Sequence, residues 1–271
     1  MTALTRPAQA ECATVARRLS ILAHRAGAAI MRVYEGEIAV EVKDDRSPVT
    51  EADRIAEDII LDGLASILPG VPVIAEESVA EGGLPEVGDT FVLVDPLDGT
   101  REFISRNGEF TVNIALVASG APVAGVVYAP AVSRLFWGAE GAGSFHSPLG
   151  HGADPHAARF EPITVRPVPD GGLTVVASRS HRDAATEAYL ARVNVRELRA
   201  AGSSLKFCVI AAGEADLYPR FGRTMEWDTA AGQAVLVHAG GSVVTEDGAQ
   251  LVYGKRERGF DNPAFIARGW R

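Results

Sequence analysis

The hydrophobic positions in the first part of the chain predict two helices. Over residues 8–34, apolar side chains recur at three- and four-residue steps, which places them in a continuous stripe on one face of a helix. The same spacing predicts a second helix over residues 51–68, and a Pro-Gly pair ends it. Thr50 is followed three residues later by Asp53, which resembles a capping box at the start of this second helix.

The spacing then changes to the shorter period of β-strands. Runs rich in Val, Ile and Phe predict strands at residues 71–75, 91–94, 111–117, 123–128 and 135–139. The third and fourth of these strands flank Ser119-Gly120, a turn that predicts an antiparallel hairpin. In the second half the elements alternate, with strands at residues 173–177, 195–198, 217–219 and 242–245 and helices at 183–192, 203–212 and 228–239. We therefore expect an α+β protein. A segment rich in Gly, Pro and His, residues 141–169, marks the boundary between domains 1–145 and 146–271.

Composition narrows the class of protein. The chain has 271 residues, of which 47% are hydrophobic and 23% charged, as in a globular protein. A formal net charge of −9 disfavours binding of a nucleic-acid polymer. No apolar run approaches the roughly 18 residues of a transmembrane helix, and the N-terminus does not resemble a signal peptide. We therefore expect a cytoplasmic protein, with peripheral contact at the inner membrane left open. A monomer and a homodimer are both compatible with the sequence. Cys12 and Cys208 are predicted to be reduced core residues.

The candidate chemistry lies in the segment Asp95-Pro-Leu-Asp98-Gly-Thr100, directly after the predicted strand 91–94. Two carboxylates three residues apart in such a turn can point into one small volume, where they repel each other. Mg²⁺ relieves this repulsion, because it binds a few carboxylates and keeps water in its remaining positions. The alternative is a surface turn in which Asp98 accepts hydrogen bonds from backbone N–H groups.

Two further acidic segments lie at the ends of predicted elements. Glu76-Glu77 ends strand 71–75 and would lie beside Asp95 if the two strands are neighbours, and Asp228 begins helix 228–239. Each has an ordinary explanation, a solvated strand end for the first and an N-cap for the second. Together the three acidic ends favour two metal ions about 3.5–4 Å apart, bridged by a carboxylate.

Three motifs in this order, residues 76–78, 95–100 and 227–232, resemble those of the inositol-monophosphatase-like phosphatases. Longer stretches, at residues 95–116, 178–181, 202–208 and 217–222, are similar to the CysQ-type 3'(2'),5'-bisphosphate nucleotidases. The likeness covers about residues 43–266. It implies a layered α/β/α/β/α sandwich of the inositol monophosphatase and sugar phosphatase type, and a magnesium-dependent, lithium-sensitive phosphomonoesterase.

The resemblance also implies a role for each motif residue. Glu76, Asp95 and the carbonyl group of Leu97 would hold one Mg²⁺ ion, and a third, weaker ion would lie near Glu76. Asp95, Asp98 and Asp228 would hold the second ion. Asp53 would pair with Thr100 to orient and deprotonate the attacking water. The implied substrate contacts are Gly99, Ser178, Arg179, His181, Gly202, Ser203, Ser204 and Lys206. Residues 202–206 also form a small-residue turn at a predicted helix start, where free N–H groups favour a phosphate.

The substrate implied by the resemblance is adenosine 3',5'-bisphosphate, which would be hydrolysed to AMP and phosphate as a clearance step in sulfate assimilation. Inositol monophosphate and fructose bisphosphate stay as alternatives on the same fold. A phosphatase of the haloacid dehalogenase type would use an aspartyl nucleophile, but its two Asp are two residues apart, whereas Asp95 and Asp98 are three apart. A non-catalytic nucleotide sensor would have a broken ligand set, whereas this set is complete. His146, His151 and His156 are predicted to be solvated loop residues, because their spacing does not suit a zinc site.

Overall fold

The computed structural model describes residues 7–42, 48–177 and 183–271. Its helices are α1 (Gln9–Tyr34), α2 (Glu51–Ile67), α3 (Glu76–Ala80), α4 (Thr100–Ile104), α5 (Ala184–Leu190), α6 (Leu205–Ala211) and α7 (Glu226–His238). Its strands are β1 (Val40–Val42), β2 (Pro48–Thr50), β3 (Val73–Ala75), β4 (Thr90–Asp98), β5 (Thr111–Ala118), β6 (Ala121–Ala129), β7 (Arg134–Ala139), β8 (Gly143–Pro148), β9 (Glu161–Ile163), β10 (Leu173–Ala177), β11 (Val195–Ala200), β12 (Leu217–Arg220), β13 (Ser242–Thr245) and β14 (Phe265–Arg268). Three predicted substrate contacts, Ser178, Arg179 and His181, lie outside the described residues.

The strands form two larger sheets and a separate antiparallel pair, β1 and β2. The first sheet has seven strands in the order β3-β4-β5-β6-β7-β8-β9, and β3 and β4 are parallel while the other neighbours are antiparallel. The second sheet has five strands in the order β11-β10-β12-β14-β13. The predicted hairpin is confirmed, because β5 and β6 are antiparallel neighbours on either side of Ser119-Gly120.

The helices and sheets alternate in five layers. Helices α1 and α2 cover one face of the seven-stranded sheet, α6 and α7 lie between the two sheets, and α5 packs on the outer face of the second sheet. Strand β4 is buried on both faces. Val92 and Val94 face the core under α1 and α2, whereas Phe91 and Leu93 face the core around α7. This double burial explains its continuous apolar run. The α+β class and the layered sandwich are confirmed.

The predicted boundary between the two domains, at residue 145, falls within the first sheet. That position lies inside β8, and the seven-stranded sheet continues to β9, so the first strand of the second sheet begins only at Leu173. Helix α7 packs on β4 to β8 as well as on the second sheet. Both sheets therefore share one apolar layer, and the division into two domains stays a prediction.

The segment predicted to mark the domain boundary, residues 141–169, contributes the two strands β8 and β9. His146 lies on β8, where its ring centroid is 4.6 Å from that of Phe136, so the prediction of a solvated loop residue is wrong at this position. Burial lowers the pKa of the His146 imidazole, and the neighbouring charge of Arg134 lowers it further. The other two histidines, His151 in a turn and His156 in a short 3₁₀ turn, lie outside the strands.

Candidate active site

The site begins at a bulge near the end of β4. Asp95 pairs with Asn113 of β5 and Asp98 with Thr111, so two residues between the aspartates face a single residue of β5. A proline is tolerated there because the bulge requires no ladder hydrogen bond from its nitrogen. The N–H of Leu97 instead donates to Asp95 Oδ1 at 3.1 Å. The strand therefore runs through Asp98, beyond its predicted end, and holds both aspartates at one end of the sheet.

Glu76 lies beside Asp95 because β3 and β4 are parallel neighbours. Ala75 pairs with Val94, and each chain continues into its carboxylate. The start of α7 brings Asp228 to the same place, so that carboxylate oxygens of Glu76, Asp95 and Asp228 all lie within 4.8 Å of one another. The predicted convergence of three element ends is confirmed. We refer to these three residues as the carboxylate cluster.

The cluster is electrostatically strained without a cation. Burial raises the pKa of Asp95 well above its ordinary value, and the negative charges of Glu76 and Asp98 raise it further. Burial and the charge of Asp98 do the same for the pKa of Asp228. Hard oxygen donors that repel one another in a buried site suit a small divalent cation, whose charge would reverse both effects. The residues present therefore fit a metal of the Mg²⁺ class.

Asp98 is held by the turn before α6. Its Oδ2 accepts the Ser204 N–H at 2.7 Å and the Asn113 side-chain amide at 3.4 Å. Burial raises the pKa of Asp98 to about 6, although the charge of Lys206 and the Ser204 N–H oppose this. The Ser204 hydroxyl donates to the Asp228 carbonyl oxygen at 2.6 Å. Ser204 therefore connects the bulge of the first sheet to the start of α7.

Two glycines allow this close approach. Gly99 has a φ of +92°, and a Cβ atom there would lie 2.3 Å from the Ser203 hydroxyl oxygen. A Cβ atom at Gly202 would lie 2.4 Å from the Glu109 carbonyl oxygen. The Ser203 hydroxyl lies 2.8 Å from the Asp98 carbonyl oxygen and 2.9 Å from that of Glu109. The Ser203 and Ser204 hydroxyls of this turn are thus engaged within the protein, and a role for the turn in substrate contact stays a prediction.

The predicted Asp53–Thr100 pair is present in the structure. Asp53 Oδ2 accepts the Thr50 N–H at 2.8 Å, and Thr50 Oγ1 accepts the Ala52 N–H at 3.2 Å, so the capping box is confirmed. Asp53 Oδ1 faces Thr100, whose hydroxyl lies 3.3 Å from it and 3.4 Å from the Leu97 carbonyl oxygen. Asp53 is buried, so its position is well determined by α2.

A cavity of 210 Å³ opens beside the carboxylates. It is lined by Glu76, Asp98, Gly99, Thr100, Arg101, Glu102, Ser203, Lys206, Phe207, Tyr218, Arg220, Thr224, Asp228 and Thr229. The lining also includes the cationic side chains of Lys206 and Arg220. Lys206 is buried, its Nζ lies 5.2 Å from the centre of the Tyr218 ring, and burial lowers its pKa to about 8 against the opposing charge of Asp98. The cavity lining therefore combines acidic and basic side chains.

Arg220 is a site residue that was not predicted individually. It ends β12, its Nη2 donates to the Arg223 carbonyl oxygen at 3.1 Å, and its buried Nε has no hydrogen-bond partner in the described part of the chain. The signal in the sequence was an arginine at the end of a predicted apolar strand. Arg106 donates to the carbonyl oxygens of Tyr34 and Gly36 and so binds the C-terminal end of α1.

These features are those of a known family. The family model described as "Inositol monophosphatase family" matches residues 11–267, and the chain belongs to that family. The haloacid dehalogenase alternative is therefore excluded. In the described residues, no helix is both long and apolar enough to cross a membrane.

Three CysQ proteins are similar to this chain over most of its length. The chain is 46% identical over 246 residues to the 3'(2'),5'-bisphosphate nucleotidase CysQ of Escherichia coli (strain K12), which covers 90% of this chain and 95% of the relative. It is 40% identical over 249 residues to CysQ of Buchnera aphidicola, with 91% of this chain and 90% of the relative covered. The crystal structure of CysQ from Bacteroides thetaiotaomicron matches with a TM-score of 0.80 and 38% identity, covering 96% of this chain and 98% of the other.

Proposed function

We propose that the protein is a magnesium-dependent 3'(2'),5'-bisphosphate nucleotidase that hydrolyses adenosine 3',5'-bisphosphate to AMP and phosphate. The observation that carries this proposal is a cavity lined by both acidic and basic side chains. Glu76 and Asp228 line it together with Thr100, and Lys206 and Arg220 line it as well. A substrate with one phosphate to be cleaved and a second phosphate to be bound suits such a cavity. The similarity to CysQ proteins supports the same assignment.

The acidic residues of the site would hold two or three Mg²⁺ ions. Their ligands would be the carboxylate cluster, Asp98 and the Leu97 carbonyl group. When bound, the ions would lower the pKa of water and neutralise charge on the reacting phosphate. Their number and identity belong to this proposal.

The chain's own residues position the attacking water. The Thr100 hydroxyl donates to Asp53, which leaves the lone pairs of the Thr100 oxygen available to accept a hydrogen bond from water. The water oxygen forms the new bond to phosphorus, the bond from phosphorus to the nucleoside oxygen breaks, and that oxygen takes up a proton from solvent water. Asp53 and Thr100 thus orient the water, and the proton that the water loses passes to this pair.

The basic residues of the cavity, Lys206 and Arg220, would select the substrate. A guanidinium group binds phosphate oxygens through two parallel N–H donors, and the buried Arg220 Nε has no hydrogen-bond partner among the described residues. Lys206 would add a point charge. An inositol monophosphate has no second phosphate for these groups. Contacts from Ser178, Arg179 and His181 stay part of the proposal.

A substrate panel tests the assignment. Phosphate release is measured with Mg²⁺ for adenosine 3',5'-bisphosphate, its 3'-phosphoadenylyl sulfate analogue, inositol 1-phosphate and fructose 1,6-bisphosphate. We expect kcat/KM for the bisphosphate nucleotide to exceed that for inositol phosphate by about tenfold or more, a difference of ~1.4 kcal/mol. A tenfold preference for inositol phosphate would overturn the proposal.

A variant of Arg220, measured with the same substrates, tests whether this residue binds the second phosphate. Arg220→Met removes the guanidinium and keeps much of the apolar volume, so kcat/KM for the bisphosphate nucleotide should fall about 30-fold or more, as for loss of a charge-assisted hydrogen bond. The rate with inositol 1-phosphate should change little. An equal loss with both substrates would show that Arg220 does not select the second phosphate.

A further inference from the structure

Helix α2 carries two buried carboxylates one turn apart, and only the first belongs to the proposed reaction. Asp53 faces Thr100. Glu57, four residues later, is 4% exposed and points to the start of α3. Residues at this spacing lie on the same face of a helix. The two carboxylates therefore face the active-site region from one rigid support.

Glu57 provides the cap that α3 lacks. The residue before α3 is Ala75, which has no side-chain acceptor, so the first N–H groups of this short helix need a partner from elsewhere. Glu57 Oε2 accepts the Glu77 N–H at 2.9 Å, and Oε1 accepts the Ser78 N–H at 2.8 Å and the Ser78 hydroxyl at 2.5 Å. Three donors thus meet one carboxylate.

The capped helix begins with a member of the carboxylate cluster. Glu76 is the first residue of α3, and its side chain lies within 4.8 Å of Asp95 and Asp228. The backbone that carries Glu76 is held on one side by strand β3 and on the other by the bonds from Glu57. A shift of the first turn of α3 would move the Glu76 carboxylate away from the other two.

We propose that Glu57 is a positioning residue for the metal site. It fixes the first turn of α3, and through it Glu76, so that the site is formed before the cation binds. This inference rests on the proposed metal site and adds to it a residue that contacts neither cation nor substrate. A full carboxylate is required, because the Glu77 N–H, the Ser78 N–H and the Ser78 hydroxyl all donate to Glu57, and the amide of a glutamine would turn a donor toward one of them.

The test compares Glu57→Gln with the wild type in the full-length protein. Mg²⁺ binding is followed by isothermal titration calorimetry and by the rise in Tm as Mg²⁺ is added, both without substrate. We expect the Kd for Mg²⁺ to rise about tenfold, as for other residues that orient metal ligands. In kinetics, the Mg²⁺ concentration for half-maximal rate should rise equally. KM for the nucleotide, measured at saturating Mg²⁺, should stay within about twofold, and high Mg²⁺ should restore kcat.

Two further variants separate positioning from general stability. Ser78→Ala removes one of the three donors and keeps the two N–H bonds, so its Kd for Mg²⁺ should rise about two- to threefold. Asp216→Asn alters another buried carboxylate that accepts a backbone N–H but lines no part of the cavity, so it should lower Tm and leave the Kd for Mg²⁺ unchanged.

Wild-type Mg²⁺ affinity in Glu57→Gln would overturn the inference, as would an equal loss of affinity in Asp216→Asn. If Glu57→Gln does not fold, unchanged affinity in Ser78→Ala would overturn it. The Mg²⁺ titrations contain no substrate, so a different result in the substrate panel would change the proposed activity and leave the role of Glu57 standing.

Discussion

Asp95 and Asp216 are the same residue type, each is 2% exposed, and their surroundings give them opposite properties. Asp216, in the second sheet region, accepts two bonds of 2.7 Å from the Arg166 guanidinium and one of 2.7 Å from the Thr174 N–H. Burial favours the neutral acid, but these bonds outweigh it, and the pKa of Asp216 is lowered. Burial raises the pKa of Asp95, and its acidic neighbours raise it further.

The difference separates a carboxylate that stabilises the fold from one that destabilises it. Asp216 joins the residue before β12 to the segment before β10 through a satisfied ion pair with Arg166, whereas Asp95 lies among like charges. A buried group whose neighbours oppose its charged form is a candidate for function, since stability does not explain it. The surroundings of Asp95 alone meet this criterion, without a comparison with related proteins.

The largest expected effect is a loss of kcat in the variant Asp95→Asn, which changes one of the two contrasted aspartates. The amide keeps the shape of the side chain but removes the charge that would bind the cation, so kcat with saturating nucleotide should fall about 10³-fold, or ~4 kcal/mol in the barrier. Phosphate release at several Mg²⁺ concentrations measures this. Retention of the full rate would show that Asp95 is not a metal ligand.

The matched change at Asp216 should affect stability instead. Asp216→Asn leaves Arg166 without its anionic partner, and the free energy of unfolding should fall by about 2–3 kcal/mol, below the range for a fully buried pair because Arg166 is partly exposed. Urea unfolding measures this value. The kcat of the folded variant should stay within about twofold of the wild type, and a large loss of kcat would remove the contrast between the two aspartates.

The raised pKa values at the acidic site and the lowered pKa of Asp216 predict that their contributions to the stability of the metal-free protein depend on pH in opposite directions. A raised pKa means that the folded state holds its proton more tightly than the unfolded state, so this contribution to stability is present at low pH and lost as pH rises through the folded pKa. For Asp98 that window extends from 3.8 to about 6. The lowered pKa of Asp216 acts in the other direction, because its contribution is lost as pH falls.

Comparing the Tm of the wild type with that of Asp95→Asn, both measured in the presence of a chelator, isolates the contribution of the carboxylate cluster to stability. We expect the variant to be more stable by about 5 °C at pH 8 and nearly equal to the wild type at pH 4.5. Saturating Mg²⁺ should reverse the order at pH 8. A difference in Tm between the two proteins that does not grow with pH would mean that the like charges of the cluster do not repel as proposed.

Much of the site was predictable because its residues lie at element ends that local patterns define. Glu76 follows an apolar run, and so does Asp95, so their proximity required only that the two strands be neighbours. The Asp53 cap was also local, since its partner Thr50 is three residues away. For these positions, periodicity and turn chemistry carried the necessary information.

What the patterns did not predict depends on contacts between distant segments. The strand β4 was expected to end at Val94, because a proline and a glycine follow, but pairing with β5 tolerates the proline through a bulge. Helix α3 has no cap of its own and depends on Glu57 from α2, which a local pattern does not show. The role of Ser204 as a link to Asp228 depends on residues 24 positions apart.

The smallest expected effect tests that last link. Ser204→Ala removes the hydroxyl that donates to the Asp228 carbonyl oxygen but keeps the N–H bond to Asp98 Oδ2. The free energy of unfolding should fall by about 1 kcal/mol. The Mg²⁺ concentration for half-maximal rate should rise about threefold, since the start of α7 and with it Asp228 is held less firmly.

Ser144→Ala is the matched control, because the Ser144 hydroxyl donates to the Val235 carbonyl oxygen at 2.7 Å near the other end of α7. This variant should lose similar stability without any change in the Mg²⁺ requirement. If both serine variants shift the Mg²⁺ requirement equally, general loosening of α7 is sufficient to explain the effect. If only Ser204→Ala shifts the Mg²⁺ requirement, the turn before α6 positions the carboxylate of Asp228 in addition to stabilising the fold. This dependence of the metal site on its position distinguishes Asp228 from Asp216, whose carboxylate stabilises the fold alone.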